Sequence, residues 1–196
     1  AYVLLDNNAS AARTFEQLMK QYPQSALASK AGIQLGLIYF NEGEMDRAAE
    51  AYKAVIRSYP GSDEAKVALQ DLKSVYVEQN NVNAYADYVN SLGGNIHLEV
   101  SEQDSLTYIA AEKLFMRGDN AGAQRSLESY LQQYPMGAFH TNAHYYLGAI
   151  AFAEKQYQTA LPHYETAIAA GDPKFLEESV ARAAEILYLQ KEYEAA

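Results

Sequence analysis

Three of the four histidines have a spacing that could bring their imidazoles to one metal ion. His140 and His144 are four residues apart, which is about one helical turn, and His163 falls in the next predicted helix. No metalloprotease motif with a glutamate accompanies them, and His144 takes a position where the surrounding pattern has a large packing residue. We therefore predict that His144 packs, that His140 lies on the surface and that the chain holds no metal. A metal-dependent enzyme at these three histidines is the alternative.

The other reactive residue types form no catalytic pattern. The 196 residues include no cysteine, which excludes disulfides, zinc–thiolate sites and cysteine nucleophiles. No nucleophile elbow, phosphate-binding loop or dinucleotide fingerprint occurs. Carboxylates cluster at Glu177–Glu178 and around Glu44, where they favour helix dipoles and solubility rather than acid–base catalysis. We predict that the chain is not an enzyme and uses no cofactor.

The charge balance limits the partners. With 15 Lys and Arg against 25 Asp and Glu, the formal net charge is −10. Nucleic acid is held mainly by clustered cations, so we do not expect it as a partner. No apolar run approaches the length that spans a bilayer, and the first residues, AYVLL, lack the basic region of a signal peptide. Any targeting segment is expected to lie outside the sequence.

The elements that position these residues come from an internal repeat. Tyr-Pro pairs end at Pro23, Pro60 and Pro135, and Pro173 follows. The separations are 60 − 23 = 37, 135 − 60 = 75 and 173 − 135 = 38, so the period is about 37 residues. One unit has been copied along the chain.

Each unit reads as a helix, a turn and a second helix. In one unit, apolar residues at helical spacing surround Ile38 and then Tyr52, and the polar stretch 41–44 separates them. Gly43 permits a left-handed end to the first helix, and Pro60 stops the second. Helix N-caps are expected at Ser25, Ser62 and Asp172.

This pattern resembles the tetratricopeptide repeat. The matching residues in one unit are Leu35, Gly36, Tyr39, Gly43, Ala48, Tyr52 and Pro60. The longer period, closed by Tyr-Pro, is similar to repeats in bacterial cell-envelope proteins that assemble the outer membrane or coordinate the Tol-Pal system. The segment around Gly93-Gly94 and 102–108 resembles large repeat proteins of the Bacteroidetes. The resemblance implies an all-α, right-handed superhelical solenoid of antiparallel helix pairs, located in the bacterial cell envelope and there in the periplasm.

The repeat also predicts how the chain divides. We expect a single array over 1–196, with a partial unit at 1–28, units at 29–65, 66–103, 104–140 and 141–176, and a partial unit at 177–196. Because neither terminal unit is complete, we expect the sequence to be an excerpt of a longer array. The unit 66–103 is degenerate and ends in an irregular connector, 93–103, in which Ile96, Leu98 and Val100 alternate with polar residues as in a strand. A bend or a partner-pairing edge is the alternative for this connector.

The function implied by the resemblance is a non-catalytic scaffold that binds a peptide or a partner helix in a concave groove. When the groove positions of the repeat are transferred to this sequence, they give a row of aromatic residues, the aromatic ladder, with polar residues beside it. The equally weighted alternative is that these rings pack between helices. The groove residues are Lys30, Ile33, Leu37, Phe40, Asn41, Tyr108, Glu112, Phe115, Asn142, Tyr145, Phe152 and Tyr188.

The groove chemistry favours some partners over others. Only Lys30, Asn41 and Asn142 could serve in the cationic clamp that grips a peptide carboxylate, so we expect a basic or apolar protein or peptide rather than an acidic one. The alternatives are a glycan-binding component of an envelope nutrient-uptake system, which the absence of Trp disfavours, and self-association through the open repeat ends.

Most of the 17 tyrosines have a place in this scheme. Eleven fall on repeat-signature positions or on the Tyr-Pro stop, where we expect them to serve the scaffold. They are Tyr2, Tyr22, Tyr39, Tyr52, Tyr59, Tyr76, Tyr130, Tyr134, Tyr157, Tyr164 and Tyr193.

Overall fold

A computed structural model describes residues 7–94 and 96–194 of the chain, with side chains as far as residue 191. Over these residues all regular structure is helical, which confirms the predicted all-α class. The helices are α1 (Asn8–Gln21), α2 (Ala26–Asn41), α3 (Met45–Ser58), α4 (Asp63–Glu78), α5 (Val82–Ser91), α6 (Val100–Met116), α7 (Asn120–Gln133), α8 (His140–Ala153), α9 (Tyr157–Ala170) and α10 (Pro173–Glu194). Within the described residues, no helix is both long enough and apolar enough to cross a membrane.

The helices form two compact units, which divide after Gly94. In the first unit α1 packs against α2, α2 against α3, α3 against α4 and α4 against α5, and α2 also contacts α4. In the second unit α6 to α10 pack in the same sequential way, and α8 also contacts α10. Short connections between packed neighbours produce the antiparallel pairs α2/α3, α4/α5, α6/α7 and α8/α9, as the repeat predicts.

The predicted helix starts are confirmed by their capping hydrogen bonds. Ser25 Oγ accepts from Leu27 N–H at 3.1 Å, and Ser62 Oγ accepts from Ala65 N–H at 3.0 Å. Asp172 Oδ1 accepts from the backbone N–H of residue 174 at 2.9 Å, and proline is the first residue of α10. The side chains that precede these three helices thus satisfy donors that the first turn leaves without a partner.

The turn inside each pair uses the left-handed backbone conformation that the pattern predicts. Gly43 has φ 77° and Gly118 has φ 81°, while Asn80 (φ 52°) and Lys155 (φ 61°) take the same place in the other two pairs. Only glycine adopts this conformation without steric cost, and asparagine tolerates it better than lysine does. The turn geometry is therefore set by the repeat even where the sequence lacks the glycine.

The Leu-Gly pair of the repeat allows a close approach between the two helices of a unit. A Cβ atom at Gly36 of α2 would lie 2.5 Å from Cε1 of Tyr52 on α3, and one at Gly148 of α8 would lie 3.1 Å from the ring of Tyr164 on α9. Both tyrosines are fully buried. The missing side chain in the first helix is what lets an aromatic ring of the second helix enter the core.

The signature tyrosines supply much of that core. Tyr39, Tyr52, Tyr76, Tyr130 and Tyr164 are buried, whereas Tyr22 is exposed. Tyr59, Tyr134 and Tyr157 are half-buried. Tyr2 and the side chain of Tyr193 lie outside the described residues. The tyrosines that pack between helices are the ones on the signature positions, and those beside the prolines lie nearer the surface.

The predicted connector 93–103 is shorter than expected. Gly93 and Gly94 have φ values of 72° and 69° and follow α5, and residues 96–99 have no regular structure. Helix α6 then begins at Val100. The strand-like interpretation is wrong at Val100, because this residue is helical, and an alternation of three residues is too short to separate the two periods. The proposed unit boundaries themselves stay a prediction.

Candidate binding surfaces

In the first unit, three of the five predicted groove residues of α2 lie on its exposed side. Leu37 is 42 % exposed, and Lys30 and Asn41 are also exposed. Leu27, which is not one of the predicted groove residues, is 62 % exposed on the same side of the helix. These positions recur at helical spacing opposite the buried face of α2. Ile33 and Phe40 are half-buried and lie at the edges of this exposed side of α2.

The neighbouring first helix extends this surface. Helix α4 contacts α2 and exposes Val67 (47 %) and Gln70. We call the combined surface the α2–α4 face. Its members are Leu27, Lys30, Gln34, Leu37 and Asn41 of α2, and Val67 and Gln70 of α4. Single exposed apolar residues are common, and this face carries three of them, Leu27, Leu37 and Val67, on two contacting helices.

In the second unit, the aromatic ladder belongs largely to the core. Tyr108 is 2 % exposed, and its ring stacks on Phe139 at a centroid distance of 4.4 Å. Phe115 is half-buried and packs against Tyr146 at 4.8 Å. A ring in this position offers little area to a partner, so we omit Tyr108 and Phe115 from the proposed surface. The reason is that helical spacing serves the core of a solenoid as well as its groove.

The later rings of the ladder pack against α9 and α10. Tyr145 is half-buried, and its ring lies 4.6 Å from that of Phe175. Phe152 is half-buried beside Tyr164, with the guanidinium carbon of Arg182 5.0 Å from its ring centre. By contrast, Tyr188 on α10 is 64 % exposed, so it is the exposed ring of the aromatic ladder.

The polar groove residues of the second unit bond to one another. Tyr108 Oη donates to Glu112 Oε1 at 2.6 Å, and Asn142 Nδ2 donates to Tyr108 Oη at 3.4 Å. Burial and the bond to the Glu112 carboxylate raise the pKa of Tyr108, so its hydroxyl stays protonated at all ordinary pH values. The amide of Asn142 is therefore engaged inside the repeat rather than directed to a peptide carboxylate.

Sequence reasoning missed a buried polar pair in the same unit. Asp104 Oδ1 accepts from Tyr130 Oη at 2.6 Å, and Asp104 Oδ2 accepts from Ala138 N–H at 2.8 Å. Tyr130 Oη in turn accepts from Phe139 N–H at 3.0 Å. Through these hydrogen bonds the pair connects α6 and α7 to the turn before α8. No local signal reveals it, because Asp104 lies 26 residues from Tyr130 and 34 residues from Ala138.

The three histidines do come together, within the α8/α9 pair. The Nδ1 atoms of His144 and His163 are 2.9 Å apart, and the ring of His140 lies 4.6 Å from that of His144. All three are half-buried, so His140 is less exposed than predicted. Burial, followed by the charges of His140 and His163, lowers the pKa of His144 to about 4, and burial lowers that of His163. In the described part of the chain, no three His, Asp or Glu side chains converge as a metal site.

Comparison with known proteins places the repeat in a family. The family model for the tetratricopeptide repeat matches residues 1–63 and 110–174, which together are well over half of the chain. No curated protein matches the sequence.

Several solved structures are similar in fold. A tetratricopeptide repeat protein from Parabacteroides merdae has 15 % identity and a TM-score of 0.43, covering 97 % of this chain and 70 % of its own. MamA from Desulfovibrio magneticus RS-1 has 13 % identity and a TM-score of 0.41, covering 91 % and 90 %. YrrB, described as having an unusual peptide-binding site, has 14 % identity and a TM-score of 0.40, covering 92 % and 87 %. On the family match, this chain belongs to the tetratricopeptide repeat family.

Proposed function

We propose that this chain is a non-catalytic interaction scaffold whose α2–α4 face binds an apolar peptide or partner helix with basic flanking residues. The observation that carries the proposal is the exposure of Leu27, Leu37 and Val67 on two contacting first helices. Repeat solenoids bind along surfaces built from such successive equivalent helices. Family membership supports the same class of function.

The dimensions of the face suit an elongated ligand. Leu27 and Leu37 are ten residues apart on α2, which corresponds to about 15 Å along the helix axis. Lys30, Gln34 and Asn41 lie on the same exposed side and carry groups that can hydrogen-bond to a peptide backbone. Apolar anchors with polar groups between them are the usual composition of a peptide-binding surface.

The charge of the whole chain supports a basic rather than an acidic ligand. At a formal net charge of −10, the field of the protein attracts cationic partners and slows the approach of anionic ones. Lys30 is the cation on the exposed side of α2. We therefore place the basic residues of the ligand at the two ends of the ligand rather than beside Lys30.

We further propose a location in the bacterial cell envelope, on the periplasmic side. This part of the proposal depends on the resemblance of the 37-residue period and its Tyr-Pro stops to envelope repeat proteins. Fractionation of the source cells with an antibody against the chain tests it, and recovery in the cytoplasmic fraction would contradict it.

The binding proposal is tested with a displayed library of random peptides selected against the purified chain. We expect enrichment of peptides with two or more large apolar residues flanked by Lys or Arg. Their affinity should fall at least about tenfold in the double variant Leu27→Gln, Leu37→Gln, since two apolar anchors are lost without a change of charge.

The matched control is Met136→Gln, which replaces a side chain that is 94 % exposed in a turn of the second unit. Circular dichroism of both variants should equal that of the parent chain. Selected peptides that bind the double variant as tightly as the parent chain would contradict the assignment of the α2–α4 face.

A further inference from the structure

Helix α10 exposes an apolar row along one side. Val180 and Leu187 are 47 % and 48 % exposed, and Ala184 between them is also exposed. Residues that are spaced by four and then three positions lie on one side of a helix, so these side chains form a single row. We call this row the α10 stripe.

The repeat shows which surface of a helix the α10 stripe corresponds to. Ala183 and Ile186 of α10 have the spacing of Leu35 and Ile38 of α2, and all four are buried. Helix α10 therefore has the register of a first helix of the repeat. In that register, the residues of the α10 stripe take the places of three buried residues of α2, which are Gly32, Gly36 and Tyr39.

In α2 this side is covered by the second helix of the pair. A Cβ atom at Gly36 would lie 2.5 Å from Cε1 of Tyr52 on α3, and one at Gly32 would meet Val55 on α3. The α10 stripe is thus the kind of surface that a second helix covers in the α2/α3 pair. Among the residues that the structure describes, it is left exposed.

Helix α1 exposes part of the matching side of a second helix. It ends at a Tyr-Pro pair, as α3 does, and its Phe15 and Leu18 take the places of Tyr52 and Val55. Tyr52 and Val55 are 1 % and 0 % exposed, whereas Phe15 and Leu18 are half-buried and the neighbouring Thr14 is exposed. Part of the side with which α3 covers α2 is therefore accessible on α1.

The charges of the two helices are complementary. Helix α1 contains two basic residues and one acidic residue, so its net charge is 2 − 1 = +1. Helix α10 contains three basic and five acidic residues, so its net charge is 3 − 5 = −2. Opposite net charges favour the approach of α1 to α10, whereas two copies of α10 repel each other.

We propose that the α10 stripe of one copy of this chain packs against α1 of a second copy, so that the two helices complete one helix pair of the repeat. Phe15 of the second copy lies over Ala184, as Tyr52 lies over Gly36 within one chain. Alanine is small enough at this position to let the ring approach. Because the two surfaces differ, a pair of copies keeps one surface of each kind free, so association continues beyond the dimer or closes into a ring.

Sedimentation velocity of the 196-residue chain between about 10 μM and 1 mM tests the proposal. One helix against another buries less than a standard interface of about 1,600 Å², so we expect dissociation constants within this concentration range. The average mass should rise with concentration from the 21.7 kDa of one chain to more than twice that value. A mass that stays at 21.7 kDa throughout would overturn the proposal.

Two variants locate the contact. Leu187→Arg places a charge in the α10 stripe and Thr14→Arg places one on α1, so each should remain monomeric up to about 1 mM. An equal mixture of the two variants should form dimers and nothing larger, because each variant retains the surface that the other has lost. Met116→Arg, at a side chain of α6 that is 65 % exposed, is the matched control and should associate as the parent chain does.

Circular dichroism should show the same helix content in all three variants, since each replaces an exposed side chain. Dimers of Thr14→Arg alone would show that α10 packs against α10 of a second copy. A mixture that stays monomeric would show that the two surfaces do not meet. Either result overturns the proposal.

Discussion

Asp104 and Tyr130 show at the residue scale how a polar pair stabilises a turn between repeats. Both side chains are buried, and together they satisfy each other and two backbone N–H groups of residues 138 and 139. A buried carboxylate is tolerated only where its oxygens have partners, so each group depends on the others.

We predict that Tyr130→Phe lowers the free energy of unfolding by about 1–3 kcal/mol, because it leaves Asp104 Oδ1 buried without its donor. Urea denaturation measures this. The control is Tyr134→Phe, whose hydroxyl accepts an exposed hydrogen bond from Gln133, and we expect little change there. Equal losses in both variants would show that the Asp104 contact contributes nothing particular.

The histidine pair predicts a pH dependence. The pKa of His144 falls to about 4 in the folded protein, first because of burial and then because of His140 and His163, while Glu128 opposes the shift at His163. The unfolded chain, with a His pKa of about 6.5, therefore binds more protons below that pH. The free energy of unfolding should decrease as the pH falls from about 6.5 to about 4.

Urea titrations across this range measure the effect. His144→Gln should flatten the pH dependence, whereas His97→Gln, at an exposed position, should leave it unchanged. A parent chain with constant stability between these pH values would contradict the buried neutral state of the pair.

At the scale of the elements, the sequence predicts most of what the structure contains because the signals are local. N-caps at Ser25 and Ser62 and the left-handed turn at Gly43 each depend on a few neighbouring residues, and each is confirmed. The start of α6 at Val100 was not predicted, because a short alternating run fits a strand as well as a helix. Long-range contacts, such as that of Tyr108 with Phe139, leave no such local signal.

The helix pairs give a matched comparison at equivalent glycines. We predict that Gly36→Ala destabilises the chain more than Gly148→Ala, because the added Cβ would lie 2.5 Å from the Tyr52 ring but 3.1 Å from the Tyr164 ring. Overpacking costs about 1–3 kcal/mol, against a gain of about 1 kcal/mol in helix propensity. Thermal unfolding of both variants measures the order, and a more stable Gly36→Ala chain would contradict the close approach.

The chain as a whole combines a core built largely from the tyrosines of the repeat pattern with the exposed apolar side chains of the α2–α4 face. The sequence identifies the repeat, but it leaves open which aromatic rings of the ladder serve the core and which serve the groove, since both follow the helical period. Burial separates them: Tyr108 is buried, whereas Tyr188 is 64 % exposed. The predicted groove positions are therefore more exposed in the first unit than in the second.

The proposed function requires that the exposed side of the first helices α2 and α4 binds the partner. Methyl NMR of the Leu/Val-labelled 21.7 kDa chain, titrated with a selected peptide, tests it most directly. We predict that the largest shifts fall on the methyls of Leu27, Leu37 and Val67, while the buried Val55 and Val89 of the second helices move little. Shifts confined to the second helices, with Leu27 and Leu37 unchanged, would contradict binding at the α2–α4 face.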